Sequence, residues 1–196
     1  MISKKRIGLY FGTFNPIHVG HLIIANYMVE FSDLDEVWMV VTPHNPHKKK
    51  NTLLDDTHRL AMVRIALEDY PSLKASNVEF GLEQPNYTVN TLIHLEEKHP
   101  DVAFCLIMGE DNLKSFHKWK NYKVILERYA IYVYPRVSEG NIETQFSDHP
   151  NIHKVNAPIM ELSSTFIRNS IHTGKNIHPM LPEGVWKYVD EMNFYR

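Results

Sequence analysis

The chain is poor in cysteine and has no excess of either charge. Its 196 residues include one cysteine, Cys105, so no disulfide can form within the chain. Cys105 stands in the apolar run Val102–Met108, where it is expected to pack as a small hydrophobic side chain. Lys and Arg number 21 against 23 Asp and Glu, a balance that argues against a general nucleic-acid-binding protein.

Long hydrophobic runs are also absent. Lys4, Lys5 and Arg6 are basic, but neither an apolar h-region nor a small-residue cleavage site follows them, so we expect no signal peptide. No segment has the length of a membrane span, and no membrane partner is expected. A chain of this size can bury a full core. These features predict one cytoplasmic domain over residues 1–196.

Short apolar runs alternate with segments of helical periodicity. We predict strands at Ile7–Phe11, Val37–Val41, Lys74–Leu82, Val102–Met108 and Ala130–Tyr134, and helices at His21–Phe31, Thr88–Lys98, Tyr122–Arg128, Ser163–Thr173 and Glu183–Met192. A further helix would be capped by Asp55 or Asp56, and Ser138–Pro150 is predicted to be a loop. The alternation predicts an α/β fold with a doubly wound, mostly parallel sheet. Its ligand crevice would lie at the carboxyl ends of the strands.

One segment, Arg6–His21, joins a strand end, a glycine turn and two histidines: RIGLYFGTFNPIHVGH. Gly12 lets backbone amides approach an anion closely, and the helix that follows aims unpaired N–H groups at it. The dinucleotide fingerprint and the Walker lysine loop are both absent from this segment. The turn is therefore predicted to bind phosphates by other means.

His18 and His21 allow three interpretations. They could be one packed and one solvated histidine, two ligands of a metal in a chain with 12 histidines, or donors to a phosphate. A metal site would need further ligands close by, with spacing such as H-E-x-x-H, and none follows. The preceding strand, and Gly20 between the histidines, favour phosphate recognition.

The stretch GTFNPIHVGH resembles the signature of the HxGH nucleotidyltransferase superfamily, which is related to class I aminoacyl-tRNA synthetases. More narrowly, the chain resembles the bacterial nicotinate-nucleotide adenylyltransferase family. The matching segments are PHNPHK at Pro43–Lys48, NYT at Asn86–Thr88, GEDNL at Gly109–Leu113 with Trp119, and LSSTFIR at Leu162–Arg168. The resemblance implies a Rossmann-like nucleotidyltransferase fold. It also implies transfer of the adenylyl group of ATP to nicotinate mononucleotide, with Mg²⁺ accompanying ATP.

The same resemblance implies roles for individual residues. The catalytic set is His18, His21, Lys48 and Arg168; the ATP-binding set is Gly12, Thr13, Phe14, Gly20, Ser163, Ser164 and Thr165; the mononucleotide-binding set is Asn15, Tyr87, Thr88, Gly109, Asp111 and Trp119. In the family pattern Trp119 stacks on the nicotinate ring, Thr88 receives its carboxylate and Asp111 accepts from ribose hydroxyls. No metal site made of protein side chains is expected.

Other interpretations stay open at this point. Helix capping would explain Ser163, and core packing would explain Trp119. The acceptor could be nicotinamide mononucleotide, phosphopantetheine or another phosphorylated compound, with adenylyl or cytidylyl transfer. A nucleotide sensor without catalysis and a histidine-rich metal-binding protein are further alternatives. The expected partners are ATP and nicotinate mononucleotide, and a homo-oligomer is compatible with the sequence.

Overall fold

The structure is a computed structural model that describes residues 4–43, 53–136 and 145–196. Its strands are β1 Lys5–Gly12, β2 Glu36–Val41, β3 Leu73–Ser76, β4 Val102–Gly109, β5 Ile131–Tyr134 and β6 Ile152–Lys154. Its α-helices are α1 Val19–Phe31, α2 Asp56–Ala66, α3 Thr88–Lys98, α4 Glu110–Ser115, α5 Tyr122–Arg128, α6 Ser164–His172 and α7 Glu183–Glu191. Within those ranges, no helix combines the length and the apolar character needed to cross a membrane.

The six described strands form one sheet in the order β3-β2-β1-β4-β5-β6, and each neighbouring pair is parallel. The predicted α/β class with a doubly wound sheet is confirmed. The strand order reverses between β1 and β4, which pair from Lys5↔Val102 to Tyr10↔Ile107. In such sheets the crevice outside the carboxyl ends of these two strands is the ligand site.

Side chains on opposite faces of the strands enter two separate cores. On β2, Met39 packs with Met28 of α1 and Val63 of α2, whereas Val40 packs with Leu92 of α3. Both faces of the sheet are therefore covered, as the continuous apolar runs of its parallel strands require. Cys105 is buried in the first core, as expected.

One predicted strand is shorter than expected, and one strand was not predicted. The strand predicted over Lys74–Leu82 ends at Ser76, and a 3₁₀ helix follows at Val78–Gly81. The turn carries Glu79 inward, where its Oε1 accepts from the Thr91 hydroxyl at 2.8 Å. β4 runs to Gly109, which directly caps α4, and β6 was not predicted because two of its three residues are exposed.

Candidate active site

A cleft of about 950 Å³ opens at the carboxyl ends of β1 and β4. Most of the predicted site residues line it: Gly12, Thr13, Phe14, Asn15, His18, Gly20, His21, Tyr87, Thr88, Asp111, Trp119, Ser163, Ser164, Thr165 and Arg168. Gly109 is not part of this lining, and a β-carbon there would collide with Asp111 and approach Tyr134. Lys48 lies outside the described residues.

His18 is the N-cap of α1 and sits almost entirely out of solvent, with 4% of its surface exposed. Its buried Nδ1 has no hydrogen-bond partner among the residues that the structure describes. Burial, aided by the positive charge of Arg136, lowers the pKa of His18 to about 4. The ring is therefore neutral at neutral pH and carries one N–H donor.

The position of the His18 ring requires a glycine between the two histidines, at residue 20. A β-carbon at position 20 would lie 3.1 Å from Nδ1 and 3.2 Å from Cε1 of His18. Those separations are tighter than ordinary van der Waals contact, so any side chain there would press on the ring. The spacing H-x-G-H thus makes room for His18 on the first turn of the helix.

His21 stacks on His18 and is oriented by the backbone. The two ring centroids are 3.7 Å apart, with 28° between the planes. The amide N–H of His18 donates to Nδ1 of His21 at 3.2 Å, which leaves the His21 proton on Nε2. Phe14 supports the ring edge-on at a centroid distance of 5.1 Å. His21 thus lines the cleft with its ring held in a fixed orientation.

The turn between β1 and α1 is tightly packed. Phe14 has a φ of 45°, in the left-handed region that non-glycine residues rarely adopt. Its ring covers Gly12, where a β-carbon would lie 2.9 Å from the ring atoms. Position 12 therefore needs a glycine to make room for the Phe14 ring, and Gly12 also lines the cleft.

The start of α6 is fastened to this turn. Ser163 caps the helix by accepting the amide of Phe166 at 3.2 Å. Ser164 donates to the carbonyl of Pro16 at 2.9 Å, and Arg168 donates through Nη1 to the carbonyl of Asn15 at 2.8 Å. The capping interpretation of Ser163 is therefore correct, and the capped helix end and the half-buried Arg168 face the same cleft as the histidines.

The other end of the cleft is aromatic. Tyr87 is the N-cap of α3, and Thr88 is its first residue. The ammonium of Lys120 lies 4.1 Å from the centre of the Tyr87 ring. Trp119 is half-buried and packs edge-on against Phe116, with ring centroids 5.5 Å apart. A flat ring could therefore be held here between aromatic side chains and the polar helix start.

Arg136 is the main site residue that sequence reasoning missed. Its Nε lies 3.5 Å from Oδ1 of Asp111, the carboxylate predicted to meet ribose hydroxyls. Glu110, which could have added negative charge beside the substrate, turns away and accepts the amide of Arg136 at 3.2 Å. The position of Arg136 just after β5 was the available signal, since strand ends of this kind meet at the crevice.

Arg59 was also missed, although it lies below the cleft rather than in it. Its guanidinium is fully buried and donates to the carbonyls of Thr13 at 2.6 Å and Thr42 at 3.0 Å. It also pairs with Asp56. A buried cation is retained only when its donors are satisfied, so Arg59 ties together the chain leaving β1 and the chain leaving β2.

The described wall of the cleft has more positive than negative side chains. Its charged members are Lys118, Lys120, Arg136 and Arg168 against Glu79 and Asp111. Because the whole chain has a formal charge of −2, this positive excess is local and favours an anionic ligand. The described residues contain no cluster of three or more His, Cys, Asp or Glu that could hold a metal ion.

The cytidylyltransferase-like family model matches residues 9–170. A relative from Christiangramia forsetii, named "Probable nicotinate-nucleotide adenylyltransferase", is 66% identical over 193 residues, or 98% of this chain and 100% of the relative. One of the same name from Cytophaga hutchinsonii is 46% identical over 97% of this chain and 98% of its own length. The solved structure of Plasmodium falciparum nicotinic acid mononucleotide adenylyltransferase, complexed with NaAD, has a TM-score of 0.81 at 21% identity, covers 97% of both chains, and shares the fold.

Proposed function

The chain belongs to the nicotinate-nucleotide adenylyltransferase family, and from this premise we propose that it transfers the adenylyl group of ATP to nicotinate mononucleotide. The products are deamido-NAD and pyrophosphate. The observation that carries the proposal is the meeting of two sets of side chains in one cleft. One set suits phosphates, with His18 and His21, and the other suits a pyridine ring, with Trp119.

The reaction needs positioning more than proton transfer. The phosphate of the mononucleotide attacks the α-phosphorus of ATP in line with the departing pyrophosphate. That phosphate is already anionic at neutral pH, so no general base is required. Catalysis then consists of holding the two phosphates in line and stabilising the charge that develops on them.

His18 and His21 act as neutral donors to the α-phosphate in this proposal. The His18 amide bond to Nδ1 places the His21 proton on Nε2, and the low pKa of His18 keeps that ring uncharged before substrate binds. An arriving triphosphate would favour the protonated form of His18, since a nearby anion raises the pKa of an imidazole. His18 can therefore strengthen its donation as negative charge grows in the transition state.

Stabilisation of the negative charge on the leaving pyrophosphate is assigned to Arg168 and the capped start of α6. Lys48 joins this assignment on the family resemblance. Mg²⁺ is proposed to enter with ATP, bound mostly by its phosphates, which is how proteins usually hold this ion. We place the reaction in the cytoplasm, where a reduced thiol such as that of Cys105 persists.

The acceptor pocket is assigned to the aromatic end of the cleft. Trp119 stacks on the nicotinate ring, and Thr88 with the amides at the start of α3 receives the ring carboxylate. Arg136 holds Asp111 in place for the ribose hydroxyls. The positive excess of the wall supports an acceptor that bears both a carboxylate and a phosphate.

Isotopic labelling separates this reaction from other uses of ATP. The protein is incubated with nicotinate mononucleotide and ATP labelled at either the α- or the γ-phosphate. Label from the α-phosphate is expected in the dinucleotide, and label from the γ-phosphate in pyrophosphate. Transfer of γ-label to the acceptor, or formation of ADP, would contradict adenylyl transfer.

A further inference from the structure

The segment that follows α7, Asn193–Arg196, leaves the helix in a fixed direction. The amide of Phe194 donates to the carbonyl of Val189 at 3.0 Å, and that of Asn193 donates to Asp190 at 3.1 Å. Asn193 has a φ of 53°. This is a Schellman ending, in which asparagine takes the left-handed position that glycine usually fills. The ending turns the chain back towards α2.

Side-chain contacts hold the segment in that place. The ring of Phe194 meets that of His58 on α2 edge-on, with centroids 4.9 Å apart. Arg196 pairs with Asp190 and donates to Oδ1 of Asn193 at 2.7 Å. Tyr195, between these anchors, has a φ of 66°. A non-glycine residue keeps such a conformation only where its surroundings impose it.

The Tyr195 hydroxyl reaches the turn between β1 and α1. It donates to Oδ1 of Asn15 at 2.8 Å. The same oxygen accepts the amide of Leu54 at 3.3 Å, and Asn15 is only 3% exposed. The backbone carbonyl of Asn15 accepts Nη1 of Arg168 at 2.8 Å. Asn15 thus joins the segment after α7 to the arginine assigned to the leaving group.

We propose that Tyr195 is a positioning residue of the nucleotide site, acting through Asn15 on Arg168. The inference rests on the proposed adenylyl transfer. Tyr195 is not among the residues that line the cleft, so its effect on substrate passes through Asn15. Burial raises the pKa of Tyr195, while Arg168 and Arg59 oppose the rise, and the hydroxyl remains a donor at neutral pH.

Tyr195→Phe tests this role because it removes the hydroxyl and keeps the ring. Tyr188→Phe is the matched control. Its hydroxyl bonds Nδ1 of His58 at 2.8 Å, and its ring packs against the same Phe194 with centroids 6.0 Å apart, but it does not line the cleft. Each variant therefore loses one hydrogen bond in the same part of the fold.

Tyr195→Phe is expected to lower kcat about tenfold and to change KM for either substrate by less than about threefold, since a misplaced Arg168 loses contacts made in the transition state. Tyr188→Phe is expected to keep kcat, and both variants to shift Tm alike. An unchanged kcat in Tyr195→Phe, or equal losses in both variants, would overturn the positioning role.

A second readout does not depend on activity. The side-chain amide signals of Asn15 in a ¹H–¹⁵N spectrum of the substrate-free protein are expected to move in Tyr195→Phe and to stay in place in Tyr188→Phe. If the wild-type protein is active but the Asn15 signals do not move in Tyr195→Phe, the role of Tyr195 is overturned and the proposed function stands. Inactive wild-type protein would overturn the proposed function, and the Asn15 signals would still decide whether the contact exists.

Discussion

The ring of His21 receives the backbone amide of His18 and stacks on the His18 ring at a centroid distance of 3.7 Å. The hydrogen bond from the His18 amide thus fixes the tautomer of His21, and the stacking contact with His18 fixes the plane of its ring. The two rings differ in burial, because His18 is enclosed and His21 is partly open. A four-residue motif in this way places two histidine rings side by side at the same helix start.

Removal of either ring tests the assignment of these donors. His18→Ala or His21→Ala is expected to lower kcat by about a hundredfold or more, the loss typical of one preorganised donor. His117→Ala is the control, since His117 is exposed and does not line the cleft. Steady-state kinetics measure the effect, and full turnover in both site variants would refute the assignment.

The glycine between the histidines can be tested separately. Gly20→Ala places a β-carbon 3.1 Å from Nδ1 of His18 and should displace the ring, lowering kcat at least about tenfold. Gly81→Ala is the matched control, because a β-carbon there meets nothing within 4 Å. Equal kinetics for the two variants would show that the ring tolerates the added methyl group.

Helices and strands that are specified by their own local sequence could be predicted from that sequence. Thr88–Lys98 and Tyr122–Arg128 have the predicted bounds, because their starts and ends are marked by local residues. In Lys74–Leu82, alternating Val78 and Phe80 favour a strand, but the chain forms a 3₁₀ helix there that buries Glu79, which bonds to Thr91. That bond joins residues twelve positions apart, which local periodicity does not register.

The site was predictable where a motif is contiguous and was missed where contacts span the chain. The geometry of the segment from Gly12 to His21 is set by contacts within the segment, since Gly12 lies against the Phe14 ring and Gly20 against the His18 ring. Arg136 meets Asp111 from a different strand end, and Tyr195 meets Asn15 across 180 positions. Only the folded sheet brings those pairs together.

The protonation of His18 can be followed directly by NMR. Because burial lowers its pKa to about 4, His18 is expected to stay neutral down to about pH 5 in the free protein. Its ring signals should therefore titrate with a midpoint well below the ordinary histidine value of about 6.5. Addition of an ATP analogue should raise that midpoint. A free-protein midpoint near 6.5 would mean that the ring is solvated.

Glu36 stabilises the end of the sheet opposite the cleft. It is 8% exposed, and its Oε1 accepts from Lys5 at 2.6 Å and Lys74 at 2.8 Å. Burial alone would raise its pKa, but these bonds and one from Trp38 lower the pKa to about 2. The lowered pKa means that this stabilisation is present above about pH 4.5 and is lost as pH falls towards 2.

Glu36→Gln should therefore lower the free energy of unfolding at neutral pH by about 1–3 kcal/mol. The difference from wild type should shrink as pH falls below about 4, and kcat should not change. Denaturant unfolding across pH measures this. Glu183→Gln, on an exposed carboxylate, is the control and should show a much smaller loss. If the free energy of unfolding of Glu36→Gln stays below that of wild type at low pH, the ionic origin of the stabilisation is contradicted.

Pyrophosphate release with ATP, Mg²⁺ and either nicotinate or nicotinamide mononucleotide tests the proposed reaction most directly. The two acceptors differ only in the group on the pyridine ring, so their kcat/KM ratio reports how the pocket around Thr88 and Trp119 reads that group. Rapid release with a strong preference for the nicotinate form is the predicted result. Equal use of both acceptors, or preference for the amide, would contradict the assignment of the pocket, and no release with either would contradict the reaction itself.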